Sequence, residues 1–321
     1  MKNGWPRVGV IGAGPMTQMM LAPAAALGIE LISFSESEID PAALFGPHSV
    51  GKYNNFEQVY SFAKSCDVIT VEINSMPISI INGLERNGVV VRPNSKSFTL
   101  TQDKNLLREK LETFTKAFTN GQNNYEIEIS VMVARSPHGQ ASTWSPTEII
   151  RKDGTCIQTL TPVLEFSNET KENVQELALT IADEIKLIGV MAVEMMIAGK
   201  ILYVKDLFLG PHFSGNWTIE GSKTSQFEQH LRAILDLPLG ETTMTSKCAV
   251  VGNIFGGKKS DMYRPYLHLM ARTPDLKFHQ YRKEVKPGSE IGHLTLIGND
   301  LEELRSEMQH ALEYISGEID E

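Results

Sequence analysis

The stretch Val8-Gly9-Val10-Ile11-Gly12-Ala13-Gly14-Pro15 constrains the fold more than any other part of the chain. It is an apolar run that ends in two close glycines and a proline. Behind it Met16, Met19, Met20, Ala24 and Leu27 recur at helical spacing. Proline presets the backbone for the first helical position, so the text spells strand, tight turn, helix. The alternation continues with a strand over Leu31 to Phe34, a helix over Asn54 to Lys64 and a strand over Val68 to Val71. A helix over Pro77 to Glu85 and a fourth strand over Val89 to Val91 follow. Strands alternating with helices predict a doubly wound parallel sheet.

From Ser97 to Thr119 an apolar stripe of Leu100, Leu107, Leu111, Phe114 and Phe118, stopped by Asn120-Gly121, predicts one long connecting helix. Beyond it the period changes to two. Ile127, Ile129, Val131 and Val133 alternate with Glu126, Glu128, Ser130 and Met132, and Asp153-Gly154 sits between extended runs as a hairpin turn. The middle of the chain therefore reads as an antiparallel sheet. A helix over Val174 to Leu187 comes next, then strands over Val190 to Ile197 and Ile201 to Leu207 about Ala198-Gly199-Lys200. Phe227, Leu231, Ile234 and Leu235 mark an amphipathic helix. A last small lobe holds strands near Ala249 to Ile254, Lys277 to Tyr281 and Leu294 to Ile297, closed by a helix from Asp300 to about Ile315.

A chain of 321 residues can bury a core large enough for two or three lobes. Its 39 acidic against 30 basic residues, with no Lys/Arg block longer than a pair such as Lys258-Lys259, leave no footprint for a nucleic acid backbone. Cys66, Cys156 and Cys248 are odd in number and far apart, which predicts neither a disulfide framework nor a zinc cluster and fits a reducing compartment. The longest apolar run, Leu21 to Ile32, is broken by Pro23, Gly28 and Glu30, so no membrane span is expected and the reading is a soluble cytoplasmic protein.

Three places carry chemistry. Gly12 and Gly14 bring bare backbone to a helix N-terminus, where an anion such as a dinucleotide could sit, although the fingerprint's third glycine is Thr17. Glu194 and Asp206 lie on neighbouring strands of a tight hairpin and could hold Mg²⁺ against a phosphate chain. Lys205 would point to the opposite face of a regular strand, and only a bulge would turn its charge toward that metal. The loop Gly210-Pro211-His212-Phe213-Ser214-Gly215-Asn216-Trp217-Thr218 is too polar and glycine-rich for core and offers one imidazole and two hydroxyls to a ligand.

Several strings together resemble one family. They are Val8 to Gly14, Asp67-Val68-Ile69-Thr70-Val71-Glu72, Val91-Arg92-Pro93, Gln102-Asp103-Lys104, Glu128 to Arg135, Val190-Met191-Ala192-Val193-Glu194, Pro211-His212 with Ser214-Gly215, and Thr224 to Ala233. Over nearly the whole chain they are similar to carboxyaminoimidazole ribonucleotide synthetase, the ATPase subunit of phosphoribosylaminoimidazole carboxylase, in the ATP-grasp superfamily. The resemblance implies an α/β fold with an N-terminal doubly wound nucleotide-fold lobe (1–104), a truncated ATP-grasp α+β base (105–246) and a small C-terminal lobe (247–321), assembled as a homodimer. It implies an ATP-dependent ligase of purine biosynthesis that makes carboxyphosphate from ATP and bicarbonate and carboxylates aminoimidazole ribonucleotide. By the same resemblance Lys104 would meet the phosphates, Glu126 the ATP ribose, and Glu194 and Asp206 the Mg²⁺. Gly12, Gly14 and Glu72, with His212 and Ser214, would line the pocket of the second substrate and bicarbonate.

The chain also departs from that family. There a lid domain stands between the helix after Gln-Asp-Lys and the strand of Glu128 to Arg135, and here only Leu111 to Asn124 fills that space. Lys205-Asp206, Gly210, Phe213 and Ser289-Glu290 stand where the resemblance leads one to expect an amide, further donors or positive charges. These departures set beside the ligase a second reading, an inactive homologue acting as a ligand-binding or dimeric scaffold. A different ligand stacked on Phe213 and Trp217 would be a variant of it. A nicotinamide oxidoreductase, resting on Gly12 and Gly14 alone, is the third.

Overall fold

The computed structural model describes residues 4–114, 116–117, 126–198, 201–257 and 261–319. The first lobe runs β1 (Arg7–Ile11), α1 (Pro15–Ala26), β2 (Glu30–Ser35), β3 (His48–Val50), α2 (Phe56–Ala63), β4 (Val68–Val71), α3 (Ile78–Arg86) and α4 (Ser95–Gln102). Its parallel sheet has the order β3-β2-β1-β4. The expected strand over Val89 to Val91 is reduced to a single bridge between Val91 and Ile69, because Pro93 brings no N–H to extend the ladder. In its place β3 pairs on the other edge, and its three exposed residues carry no periodic signal.

The long helix expected from Ser97 onward is two helices, α4 and α5 (Lys104–Glu112). Asp103 separates them in an extended conformation, and its carboxylate accepts the N–H groups of Asn105 at 3.0 Å and Leu106 at 3.1 Å. An aspartate that caps a new helix satisfies donors that a continuing helix would have paired itself. The Asn120-Gly121 stop lies outside the described residues.

The remaining elements are β5 (Lys116–Ala117), β6 (Glu126–Arg135), β7 (Ala141–Thr143), β8 (Thr147–Lys152), β9 (Thr155–Thr161), α6 (Asn168–Glu184), β10 (Gly189–Ala198), β11 (Ile201–Leu209), α7 (Thr218–Gly221), α8 (Gln226–Ile234), β12 (Cys248–Phe255), α9 (Tyr263–Arg272), β13 (Lys277–Gln280), β14 (Glu290–Gly298) and α10 (Leu301–Ser316). One sheet joins the strands in the order β13-β14-β12-β9-β8-β6-β10-β11-β5, with β7 on β6. The hairpin of β8 and β9 turns through Asp153 and Gly154, at φ of 50° and 78°, the left-handed pair that a two-residue hairpin turn demands.

Packing ties the lobes together. Ile11, Phe34 and Ile69 of the first sheet share a core with Leu107 of α5 and with Val131, Met195 and Leu207 of the second sheet. Phe227, Leu231 and Ile234 of α8 pack with Met20 and Ala24 of α1, so this amphipathic helix is core. In the last lobe Leu301, Met308, Ala311 and Ile315 of α10 bury against Val250 and Ile254 of β12. Each large apolar side chain removed from water in this way contributes about 1.5 to 3 kcal/mol. Among the described residues no helix is long and apolar enough to cross a membrane.

Candidate functional site

The glycine turn after β1 holds an anion that belongs to the chain itself. Glu72, just past β4, places Oε2 2.7 Å from the Gly14 N–H, and its Oε1 accepts the N–H groups of Met16 at 3.0 Å and Thr17 at 3.4 Å. The Thr17 hydroxyl donates to Oε2 at 2.6 Å, which gives the residue standing in the third glycine's place a defined task. Burial raises the Glu72 carboxyl above its ordinary value, opposed by the Thr17 hydroxyl and the three backbone donors. A dinucleotide phosphate would have to displace this carboxylate, so the helix N-terminus is not the open anion site that the glycines alone predict.

Both glycines are required by this fit. Gly12 has φ of +119°, and a Cβ added at Gly14 would stand 2.5 Å from Glu72 Oε1. Gly14→Ala is therefore expected to push the carboxylate off its donors and to lower stability by about 1 to 3 kcal/mol in urea unfolding, the cost of leaving such groups unpaired.

A second cluster forms on the sheet floor. In the ladders Glu194 of β10 pairs with Asp206 of β11 on one side and with Ser130 of β6 on the other. The β10/β11 register shifts just past Glu194, so that Met195 opposes Val204 and Lys205 is the extra residue. This bulge turns Lys205 toward the site, where its Nζ lies 2.9 Å from Glu128 Oε1. Arg151 of β8 completes the arrangement. Its Nη2 is 2.7 Å from Glu128 Oε1 and 3.4 Å from both oxygens of Glu194, while its Nε donates to Glu128 at 2.9 Å.

These contacts set the charges. Burial pushes the Glu194 carboxyl up to about 7 despite Arg151, with Glu128 and Asp206 adding like charge. Asp206 is also raised by burial, and it is held by the Leu207 N–H at 2.8 Å and by the charge of Lys104 and Lys205. Glu128 is lowered: burial raises it, but Arg151 and Lys205 together outweigh that. The donor chemistry of Glu194 and Asp206 fits Mg²⁺, which takes one or two carboxylates and completes its shell with phosphate oxygens and water. Arg151 is the resident cation that such an ion would meet at Glu194.

The loop after β11 is buried, contrary to its polar text. His212, Ser214, Asn216, Trp217 and Thr218 are all buried, and Trp217 is fully enclosed in the core, so it offers no stacking surface to a ligand. The loop hides most of its polar groups by pairing them internally, Trp217 Nε1 being left without a partner among the described residues. Gln226 clamps His212, accepting its N–H at 2.8 Å and donating to its carbonyl at 2.7 Å, and the Thr218 hydroxyl donates to the Gly215 carbonyl at 2.6 Å. The His212 ring lies between Phe208 and Phe213, with Nδ1 2.9 Å from the Ser214 hydroxyl and Nε2 3.9 Å from Glu194 Oε1. Burial, reinforced by the Arg151 charge, holds its pKa near 3, so the imidazole is neutral at physiological pH.

Two cavities flank Asp206. One of about 550 Å³ is lined by Lys104, Leu107, Arg108, Tyr203, Lys205 and Asp206, and one of about 420 Å³ by Asn74, Thr101, Gln102, Asp206 and Phe208, among others. The structure thus groups Glu194, Asp206, His212 and Ser214, sets Lys104 across a cavity from Asp206, and lines one narrow cleft with Glu72, Gly210 and Pro211. Glu126 stands exposed at the start of β6, opposite Ala198. Sequence reasoning assigned no task to Arg151, Glu128, Ser130 or Gln226. The alternation of Glu126, Glu128 and Ser130 was the available signal for two of them, since it placed them on one face.

Comparison with known proteins agrees with this architecture. The ribonucleotide synthetase preATP-grasp domain model matches residues 5–102, the ATP-grasp domain model residues 98–227, and the phosphoribosylaminoimidazole carboxylase C-terminal domain model residues 249–307. The N5-carboxyaminoimidazole ribonucleotide synthase of Mycobacterium tuberculosis is 29% identical over 377 positions, covering 97% of this chain and 88% of the relative. That of Corynebacterium ammoniagenes is 26% identical, covering 97% and 92%. The alignment of 377 positions exceeds the 321 residues of this chain, so the mycobacterial relative carries residues without a counterpart here. In fold the chain is similar to the Aspergillus clavatus carboxyaminoimidazole ribonucleotide synthase complexed with ATP, at a TM-score of 0.87 and 22% identity over 98% of this chain and 99% of that one. The Thermus thermophilus synthetase gives 0.83 at 22% identity over the same shares. Three domain models in the family's order, relatives matched along nearly the full chain and a shared fold lead to one conclusion: the chain belongs to the N5-carboxyaminoimidazole ribonucleotide synthase family of ATP-grasp proteins.

Proposed function

We propose that the chain is an ATP-dependent ligase that carboxylates the amine of aminoimidazole ribonucleotide with bicarbonate. The observation that carries this reading is the pairing of Glu194 with Asp206 across β10 and β11, beside a cavity that Lys104 and Lys205 line and within 3.9 Å of His212. Relatives and similar structures bearing the synthase name support it, among them an Aspergillus clavatus enzyme in complex with ADP and 5-aminoimidazole ribonucleotide. The scaffold reading gains no support from these comparisons.

In this reading a bicarbonate oxygen attacks the γ-phosphorus, the bond to the bridging oxygen breaks, and ADP leaves with that electron pair. The amine of aminoimidazole ribonucleotide then attacks the carboxyl carbon, inorganic phosphate departs, and the amine loses a proton. Such transfers need positioning and charge neutralisation more than covalent participation by the protein. Lys104 and Lys205 face the phosphates from the 550 Å³ cavity. Glu194 and Asp206 would hold Mg²⁺, whose charge neutralises the phosphate chain. Neutral His212 and Ser214 line the reacting end, with Glu72, Gly12 and Gly14 toward the second substrate and Glu126 toward the ribose. The same reading divides the chain at 1–104, 105–246 and 247–321 and takes the working unit as a homodimer.

Isothermal titration with Mg·ATP and then aminoimidazole ribonucleotide, followed by phosphate release, tests this. Saturable binding of both, with release that requires bicarbonate and aminoimidazole ribonucleotide together, is the expected result. Release indifferent to either co-substrate, or no binding of either ligand, would overturn it.

A further inference from the structure

Ser130 belongs to β6 and is buried to 1% exposure, directly opposite Glu194 in the β6/β10 ladder. Its hydroxyl oxygen accepts the Ser214 hydroxyl at 2.8 Å. The other contact of Ser214 in this direction, Met132 Sδ at 3.7 Å, is also an acceptor. A serine hydroxyl carries one proton, and here it is committed toward β6. The remaining contact of Ser214, 2.9 Å to His212 Nδ1, must therefore receive its proton from the ring. The ring cannot turn away from this contact, since Phe208 stacks on it at 4.5 Å, Phe213 lies at 4.1 Å, and Gln226 grips its backbone on both sides.

We propose that Ser130 is a positioning residue: through Ser214 it fixes His212 as the Nδ1-protonated tautomer and leaves the Nε2 lone pair free to accept a hydrogen bond from an O–H or N–H of a co-substrate. Glu194 Oε1 lies 3.9 Å from Nε2, beyond hydrogen-bonding range, so that carboxylate does not occupy the lone pair. The opposite tautomer would aim an N–H at Glu194 and give the site a donor where it now offers an acceptor. What the acceptor serves rests on the ligase reading, in which bicarbonate brings an O–H and the second substrate an N–H. The tautomer itself does not depend on that reading.

Removing the Ser130 oxygen should reverse the relay. In Ser130→Ala the Ser214 hydroxyl loses its oxygen acceptor on β6, keeps there only the weak thioether acceptor of Met132, and turns to donate to Nδ1, which moves the ring proton to Nε2. Nitrogen-15 NMR of histidine-labelled protein without substrates reads this directly, with His212 assigned by its loss in His212→Gln. The expected wild-type spectrum has a protonated, pyrrole-type Nδ1 and an unprotonated, pyridine-type Nε2, exchanged in Ser130→Ala and restored in Ser130→Thr, which keeps the hydroxyl. Turnover of Ser130→Ala should fall about 100-fold in kcat, the scale of a misplaced acid–base group, with KM for ATP unchanged. A wild-type ring protonated on Nε2 would overturn the proposal by itself, whether or not any variant folds, and so would a Ser130→Ala spectrum like that of wild type. Failure of the ligase reading would show as absent turnover with the tautomer pattern intact.

Discussion

Glu194→Gln is expected to abolish most turnover while making the protein without ligands more stable above pH 7. The activity loss, about 100-fold or more, follows from removing one of the two carboxylates that would hold Mg²⁺, the ion whose charge would neutralise the phosphate chain. The stability gain follows from linkage. The Glu194 carboxyl is raised from 4.5 to about 7 in the folded protein, chiefly by burial, so the folded state binds the proton more tightly than the unfolded one. Stability from this group is then fully present below about pH 4.5 and declines as pH rises to about 7. Above that the buried charge costs about 3 kcal/mol, at 1.36 kcal/mol per pH unit. Glutamine keeps the shape and removes the charge. Denaturant unfolding at pH 8 should show the gain and unfolding at pH 4 should not. Equal stability of the two proteins at pH 8 would show that Glu194 is not an uncompensated buried charge.

Arg151→Met should act in the reverse direction. The guanidinium is shared by Glu128 and Glu194, whose side chains are only 11% and 3% exposed. Methionine fills similar volume but leaves Glu194 without its nearest cation and Glu128 with Lys205 alone. Breaking a buried ion pair from one side costs about 3 to 5 kcal/mol, and the upper part of that range should appear at pH 8, where Glu194 is charged. At pH 5 Glu194 is protonated and the loss should shrink. The double variant Arg151→Met with Glu194→Gln should recover much of the stability at pH 8. Additive losses in that cycle would mean that the two side chains are not coupled.

These two residues show where the sequence was legible and where it was not. Glu194 and Asp206 were readable as a pair because a short turn fixes the register of the strands that carry them. Arg151 was not, because it arrives from β8, two strands away in the sheet order, and no local pattern encodes which strands become neighbours. The strand, glycine turn and helix from Val8 onward were readable for the same local reason. Their occupant, Glu72, comes from 58 residues beyond Gly14, and its contact depends on β4 lying beside β1. The loop from Gly210 to Thr218 misled because polarity usually marks a surface. Here Gln226, Ser130 and Thr218 satisfy most of its polar groups inside, and burial follows from pairing rather than from composition. The break at Asp103 was masked by an apolar stripe that runs through both helices, whose phase survives a single capping residue.

The shared ladder of the second sheet bears on how this molecule can enclose what it binds. Ala249 to Gly252 of β12 are bonded to Gln158 to Thr161 of β9, and the first lobe is joined to the same body through the core of Ile11, Phe34 and Leu207. A jaw needs a hinge, and neither junction supplies one: swinging the last lobe would tear a row of backbone hydrogen bonds, and swinging the first would open a packed interior. On the ligase reading, shielding of the reacting centre from solvent would therefore fall to side chains around the floor rather than to rotation of either lobe.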